Sequence, residues 1–358
     1  RKYFGILSKG GAAMGKAKQK ISQEGWRTTK KERRSYIIGD LGRTLEGYIV
    51  TAMMSTFMIF QGINMAAIAG AMLIVKIIDA FDDVIFGYLV DRIHITEWKA
   101  FKKVTGEGKY LPWYRLTFFL FPIFTALFFC MPRGWGAGGK LAWFFIFYLL
   151  YDLSYTLVEV PMQSMIVTLT DNTDERNSIL QTKTIINSIA TIGAGMLWTV
   201  AISEHVGIGI REVALVSSVA FFFMMLPLGR GVKEHNTTLA NVDPKETEKY
   251  SLKDMWTCIK TNKYLMLLLL STVITSCLQT GGAVGLLVSY YHFGSSLVMA
   301  IPILISLIPV ILAQMQTRKL VNRFGKLKVF MVCGVIGALI QMSIYFVGPI
   351  FVICCTLL

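Results

Sequence analysis

The sequence has few charged residues and lacks the motifs that mark metal centres, redox sites and ATP-driven pumps. Asp, Glu, Lys and Arg make up 16% of the 358 residues, against about 25% in a typical soluble protein. The four histidines show no HExxH spacing, the six cysteines form no CxxC pair, and no GxxxxGK[ST] segment occurs. These absences argue against a zinc site, structural disulfides and a nucleotide-driven pump.

Long apolar runs dominate what is present. Apolar residues account for 54% of the chain and lie in runs separated by short polar connectors. Each run can cross a hydrocarbon core, which needs about 20 apolar residues, so we predict an all-α polytopic membrane protein in a lipid bilayer. The predicted spans are 35–60, 64–90, 113–132, 141–168, 178–202, 212–230, 263–291, 297–317 and 327–346, with a tenth beginning near Pro349.

The positive charge is distributed unevenly along the chain. The net charge is +14, and Lys and Arg cluster before the first span and after the second, sixth and eighth spans. Because such residues gather in cytoplasmic loops, this alternation predicts a cytoplasmic N-terminus and argues against nucleic acid as a partner. The N-terminal segment has no signal-peptide core, and a bacterial inner (plasma) membrane fits this pattern.

The longest connector divides the chain after six spans. Six plus six spans is the layout of a two-half transporter built from repeats, so we expect the second half to be incomplete in this chain. The predicted divisions are a basic cytoplasmic segment (1–34), a six-helix bundle (35–230), a cytoplasmic central loop (231–262) and a partial C-terminal bundle (263–358).

Two connectors at equivalent positions of these halves share a pattern. G-x-x-x-D-R, ending in Asp91 and Arg92, follows span two, and a basic stretch containing Arg323 follows span eight. The pattern resembles the loop signature of the major facilitator superfamily, whose fold has two six-helix halves. Asp91, Arg92 and Arg323 are predicted to form a charge clamp between helix ends that closes in one state and releases in the other. Alternatively, they are ordinary cytoplasmic charges.

Span two carries four ionisable residues, although each costs about 2.5–3.5 kcal/mol to place in a membrane. Lys76, Asp79 and Asp83 share one helix face, and Asp82 lies off to one side but close by. The excess carboxylates predict a site that binds a cation through oxygen or holds a proton. In the alternative interpretation, Lys76 neutralises Asp79 and the other two acids lie at the inner interface.

Span four places an acid and a hydroxyl on one face. Glu159 is near the middle of the span, and Thr156 lies three residues earlier. This pair suits a shared cation or a solute hydroxyl, and Pro161 is expected to kink the helix where it lines a cavity. Glu159 could instead be a buried acid bonded to a neighbouring helix.

Spans one and five each add a cation near the predicted site. Arg43 could face the same cavity as the acids of span two, or it could pair with Asp40 or Glu46 on its own helix. Lys183 lies just inside the start of span five, where reaching back to the membrane interface is the alternative.

Several stretches resemble the glycoside–pentoside–hexuronide:cation symporters. Residues 76–87 match their aspartate-rich second span, 108–113 match a G-K-[FY]-x-P-W stretch, and 155–161 match Y-T-x-x-[acid]-[IV]-P. Residues 36–43 and 174–176 also match, so the similarity covers roughly 36–183.

The resemblance implies symport of a sugar with Na⁺ or H⁺ by alternating access. Asp79 and Asp83 match the family's two cation-binding carboxylates, and Thr156 matches a threonine of the same site. Glu159 matches an aspartate that touches sugar hydroxyls beside the cation, and Lys183 falls where the family has an arginine near the sugar. Asp82 makes the expected cation site more acidic.

The expected sugar site departs from the family pattern. Thr44 replaces a sugar-binding aspartate, Gln163 replaces a tryptophan, and Val84 replaces a proline. A galactoside is therefore less expected than another glycoside, a hexuronide or a non-sugar solute. The predicted substrate-binding residues are Glu159, Arg43, Thr44, Tyr155, Gln163 and Lys183.

Other functional classes remain as alternatives. A transporter-like sensor would bind the solute without moving it. An enzyme has no support, because no nucleophile–base set or metal motif lies within the spans. Apart from the coupling ion, we expect no cofactor and no bound metal.

Overall fold

The computed structural model describes residues 26–92, 106, 108–203 and 206–235, followed by 257, 260–267, 270, 309, 311–314, 316, 320–321 and 323–347. This part of the chain is helical and contains no β-strand, which confirms the predicted all-α class. The helices are α1 (Lys30–Phe60), α2 (Met65–Arg92), α3 (Leu111–Thr117), α4 (Leu120–Phe129), α5 (Ala137–Leu169), α6 (Thr173–Ile202), α7 (Ile210–Gly231) and α8 (Lys326–Val347).

Four segments of the described chain are long and apolar enough to cross a membrane. They are Leu111–Phe129, formed by α3 and α4 together, and the helices α5, α6 and α7. The helices α1 and α2 have comparable lengths of 31 and 28 residues but carry more charge. The protein is therefore an integral membrane protein. The predicted spans 263–291 and 297–317 lie largely outside the described residues, and the division into two halves stays a prediction.

The start of α1 is fixed by a reciprocal pair of hydrogen bonds. The Thr29 hydroxyl accepts a hydrogen bond from the Glu32 amide at 3.2 Å, and the Glu32 carboxylate accepts one from the Thr29 amide at 2.7 Å. This capping box satisfies amides that a helix end otherwise leaves unpaired. The helix ends before Gly62, whose φ of +79° suits glycine.

Small residues let α1 pack closely against α7. A methyl group on Gly42 would lie 2.9 Å from the Cβ of Met224, and one on Gly39 would overlap Leu228. Close backbone approach through glycine is a general way of packing helices in membranes. It places α1 at the centre of the bundle, between α5, α6 and α7.

Pro161 lies inside α5, which continues past it to Leu169. Proline has no amide hydrogen, so the carbonyl of Leu157 loses its usual intrahelical donor. The hydroxyl of Thr117, on α3, donates a hydrogen bond to that carbonyl at 3.1 Å. A neighbouring helix thus completes the backbone pairing that the proline interrupts.

Candidate functional site

Three carboxylates of α2 gather at one point beside α5. One oxygen each of Asp79, Asp82 and Asp83 lies within 4.8 Å of the others. Asp82 is only 7% exposed, and neither of its oxygens has a hydrogen-bond partner in the part of the chain described. Asp83 accepts a hydrogen bond of 3.0 Å from the Thr156 hydroxyl. The structure therefore brings the four predicted cation-site residues together.

One lysine contacts this carboxylate cluster from the same helix. The Lys76 ammonium lies 2.7 Å from Asp79 and 3.0 Å from Asp152 of α5. Lys76 does pair with Asp79, as one of the two interpretations expected, but it is the single cation paired here with two carboxylates, and Asp82 and Asp83 lie in the same cluster as Asp79. The site therefore keeps excess negative charge.

Asp152 is a member of this site that was not among the residues predicted for it from the sequence. Its carboxylate is buried against Lys76, with 4% of the side chain exposed. A signal was available, because Asp152, Thr156 and Glu159 follow one another at helical spacing and share a face of α5.

A second polar network joins α1 to α5. The Arg43 guanidinium donates a hydrogen bond of 2.7 Å to the Tyr155 hydroxyl and lies 3.2 Å from Glu159. It also lies 3.4 Å from Asp40 of its own helix. Arg43 therefore pairs with Asp40 of its own helix, which was one of its two alternatives, and Glu159 is bonded to a neighbouring helix, which was the alternative for that acid.

The same network extends to α6 through Asp40. Lys183 donates hydrogen bonds to Asp40 at 3.2 Å and to Gln163 at 3.0 Å. Asn187 donates to the other Asp40 oxygen at 2.7 Å and to the Thr44 hydroxyl at 3.1 Å. Lys183 is thus held inside the bundle. Asp40 and Asn187 are central here, and sequence reasoning did not assign either of them to the site.

The ion pairs of this second network balance. Arg43 and Lys183 supply two positive charges, and Asp40 and Glu159 supply two negative ones. Gln163 closes the arrangement by donating a hydrogen bond of 3.4 Å to Glu159. The carboxylate cluster therefore carries net negative charge, whereas this adjoining network has no net charge.

The predicted charge clamp is only partly visible. Asp91 and Arg92 end α2, but their side chains lie outside what the structure describes. The Arg323 guanidinium lies 5.3 Å from the centre of the Phe324 ring. The clamp therefore stays a prediction.

Glu175 anchors the segment before α1 to the start of α6. Its fully buried carboxylate accepts hydrogen bonds from the amides of Arg27 and Thr28, both at 3.1 Å, and from the Thr28 hydroxyl. The Thr170 hydroxyl adds another at 2.6 Å. Sequence reasoning noted Glu175 only as part of a family motif, because nothing in the spacing points to partners near residue 28.

The residues after α7 make two comparable contacts. The Glu234 carboxylate accepts hydrogen bonds from the amides of Lys109, Tyr110 and Leu111 at 2.6–2.8 Å, which caps the start of α3. His235 lies 2.9 Å from Glu32. Burial acts to raise the pKa of Glu32, but hydrogen bonds from Thr29 and His235 hold that pKa below its usual value.

Buried ion networks within a membrane-spanning helix bundle are typical of solute carriers. A family model described as MFS/sugar transport protein matches residues 35–358. The chain belongs to this family of major facilitator transporters, which confirms the resemblance drawn from its motifs.

Curated relatives support the same assignment. The chain is 28% identical to the isoprimeverose transporter of Lactiplantibacillus pentosus over 241 residues, or 63% of this chain and 47% of the relative. It is 26% identical to the uncharacterised symporter YjmB of Bacillus subtilis over 317 residues, or 86% and 65%. It is 28% identical to a glucuronide carrier protein homologue of Escherichia coli over 156 residues, or 43% and 31%. The chain spans between about a third and two thirds of these relatives.

Proposed function

We propose that the protein is a secondary transporter that couples uptake of a sugar or glycoside to a monovalent cation, Na⁺ or H⁺. The observation that carries this proposal is the position of two residues on α5. Thr156 bonds to Asp83 in the carboxylate cluster, and Glu159, one turn further on, pairs with Arg43 in the neutral network. One helix therefore joins a site suited to a cation to a site suited to a solute.

The carboxylate cluster suits the coupling ion. Hard cations take oxygen ligands, and the cluster offers three carboxylates and a hydroxyl, from Asp79, Asp82, Asp83 and Thr156. A bound Na⁺, or a shared proton, would relieve the mutual repulsion of the acids. The ion would thereby draw α2 and α5 together, and the ordered pair would bind solute more tightly.

The neutral network favours an uncharged solute. Both of its cations already have carboxylate partners, so the anionic group of a hexuronide would meet no spare positive charge there. Sugar hydroxyls can hydrogen-bond to Glu159, whose side chain is 30% exposed, whereas that of Asp40 is fully buried. Thr44, Tyr155 and Gln163 would add neutral donors and acceptors.

The wider arrangement of the transporter follows from the family. We propose a cytoplasmic N-terminus in a bacterial inner membrane, two six-helix halves that alternate access, and a charge clamp formed by Asp91, Arg92 and Arg323. The family and the relatives are transporters, and we assign this chain no catalytic activity.

Uptake into proteoliposomes tests the proposal. Isoprimeverose, named for one relative, is the first neutral probe, and a glucuronide is the charged one. We expect accumulation of the neutral sugar to depend on a Na⁺ or H⁺ gradient and to disappear with Asp83→Asn or Glu159→Gln. Asp171→Asn is the control, because that acid is 46% exposed and pairs with the exposed Arg27.

The outcomes separate the alternatives. Full cation-dependent uptake by either neutralised variant would show that the site is wrongly assigned. Solute binding without counterflow would favour a sensor over a transporter. A preference for the glucuronide would contradict the argument from charge balance.

A further inference from the structure

A groove of about 340 Å³ lies between the first turns of α1 and α6, away from the candidate site. Three basic side chains of α1 line it, Lys30, Arg33 and Arg34, together with Ser178 and Thr182 of α6 and one isoleucine from each helix. The groove therefore combines positive charge, hydroxyl groups and an apolar floor.

Two of the three cations in the groove are uncompensated. Arg33 lies 3.5 Å from Glu175 and 4.4 Å from the centre of the Trp26 ring, so its position is fixed by the protein. Lys30 and Arg34 are exposed and pair with no carboxylate in the described part of the chain. The two positive charges form a surface complementary to a phosphate ester. The Thr182 hydroxyl beside them donates to the Ser178 carbonyl at 2.8 Å and can accept a hydrogen bond from a headgroup.

The surroundings favour a phosphate that carries an acyl chain. Ser178 and Thr182 share a face of α6 with Ile189, which is 42% exposed, and Ile38 of α1 is 39% exposed one turn beyond Arg34. Both isoleucines lie further from the starts of their helices than the groove does, within the predicted membrane spans. Tryptophan, present here as Trp26, is enriched at the level of lipid headgroups.

We propose that this groove binds the headgroup of an anionic phospholipid such as phosphatidylglycerol. Lys30 and Arg34 contact the phosphate, the hydroxyls of Ser178 and Thr182 contact the headgroup, and the acyl chains lie along the exposed isoleucines. The lipid bridges α1 and α6, the two helices that Asp40 and Lys183 join deeper in the bundle. The site is independent of whether the protein transports a sugar.

The test measures binding of dioctanoyl phosphatidylglycerol to the purified protein in neutral detergent by native mass spectrometry. Each cation near a lipid surface contributes enough to change affinity about fivefold. Lys30→Gln with Arg34→Gln is therefore expected to weaken binding about 25-fold. Lys31→Gln with Lys233→Gln removes the same charge from exposed positions outside the groove and is expected to leave binding unchanged.

Two further experiments identify the ligand and control for variants that fail to fold. Dioctanoyl phosphatidylcholine and inorganic phosphate are expected not to compete. In the unsubstituted protein, a photoreactive phosphatidylglycerol is expected to label the peptide that contains Ser178 and Thr182, which needs no variant to fold.

Several results would overturn the proposal. Equal weakening by both double variants would indicate diffuse charge attraction. Competition by inorganic phosphate would indicate a site for a free anion. Absence of both binding and labelling would mean that another part of the protein, or nothing, occupies the groove.

Discussion

Carboxylates lie at two levels of the bundle and differ in the number of hydrogen bonds that they accept. Near the starts of α1 and α6, the buried Glu175 accepts hydrogen bonds from two amides and two hydroxyls. At the start of α3, the partly buried Glu234 accepts hydrogen bonds from three amides. Within the bundle, Asp82 is buried with both oxygens unpartnered among the described residues. Since buried polar groups are normally paired, the first set holds the helices in place, and the second is available to a ligand.

Glu46 refines this comparison. It is fully buried, and its oxygens also have no hydrogen-bond partner in the described part of the protein. Among the residues that the structure describes, Glu46 belongs to no group of three acids, whereas Asp82 lies with Asp79 and Asp83. The clustering of three carboxylates, and not only the lack of hydrogen-bond partners at Asp82, therefore distinguishes the candidate cation site from the buried Glu46.

The largest effect is expected from removing a satisfied carboxylate. Glu175→Ala leaves several buried hydrogen-bond donors without an acceptor and the Arg33 charge without its carboxylate. We therefore expect the free energy of unfolding to fall by about 3–5 kcal/mol. Thermal unfolding in detergent measures this. Asp171→Ala, at an exposed acid, should change it by less than about 0.5 kcal/mol, and equal losses would contradict the distinction.

Substituting two acids within the bundle, Asp82 and Asp152, is expected to change the free energy of unfolding in opposite directions. Asp82→Asn removes one of three crowded charges and should raise stability without a cation by about 1–3 kcal/mol. It should also reduce the thermal stabilisation by Na⁺, if Na⁺ is the coupling ion. Asp152→Asn breaks a buried pair with Lys76 and should lower stability. Destabilisation by both would place Asp82 among the structural carboxylates.

A smaller loss of stability is expected at Glu234, because the backbone amides that it binds can form hydrogen bonds with water instead. Glu234→Gln leaves one oxygen to cap the start of α3, so unfolding should become easier by about 1–2 kcal/mol. The matched control is Glu212→Gln, whose carboxylate is 53% exposed. Hydrogen exchange at Tyr110 and Leu111 should rise in the first variant alone, and unchanged exchange there would refute this capping role.

The smallest effect concerns pH. Because the pKa of Glu32 is lowered in the folded protein, its stabilisation is present above the unfolded pKa of about 4.3 and is lost as pH falls through the lower folded value. Stability should therefore drop below about pH 4, and less steeply in Glu32→Gln. Unfolding midpoints from pH 3 to 7 measure the slope, and identical slopes would argue against the effect.

The sequence predicted the helices well because a membrane span needs only length and apolarity. It also predicted that Asp79, Asp83 and Thr156 belong together, through helical spacing and family resemblance. These features are local, or repeat along one helix, and so they can be seen without knowing how helices pack.

Contacts between distant helices could not be predicted in the same way. Asn187 lies 147 positions from its partner Asp40, and Asp152 lies 76 from Lys76. The acceptors at Glu175 and Glu234 bind backbone amides, which every residue carries, so no residue type marks the partner. These pairs depend on how the helices pack, α1 against α6 for Asp40 and Asn187 and α2 against α5 for Lys76 and Asp152.

The hydrogen bond from Thr117 to Leu157 has a mechanical consequence. It lies at the level where Pro161 interrupts α5. Thr156 and Glu159 lie before the proline, and Gln163 lies after it. The two parts of α5 on either side of Pro161 can therefore bend relative to each other, and α3 supports the bend through Thr117. Under the proposed function, an ion bound near Thr156 would tilt the part of α5 beyond Pro161 without leaving the Leu157 carbonyl unpaired in the membrane.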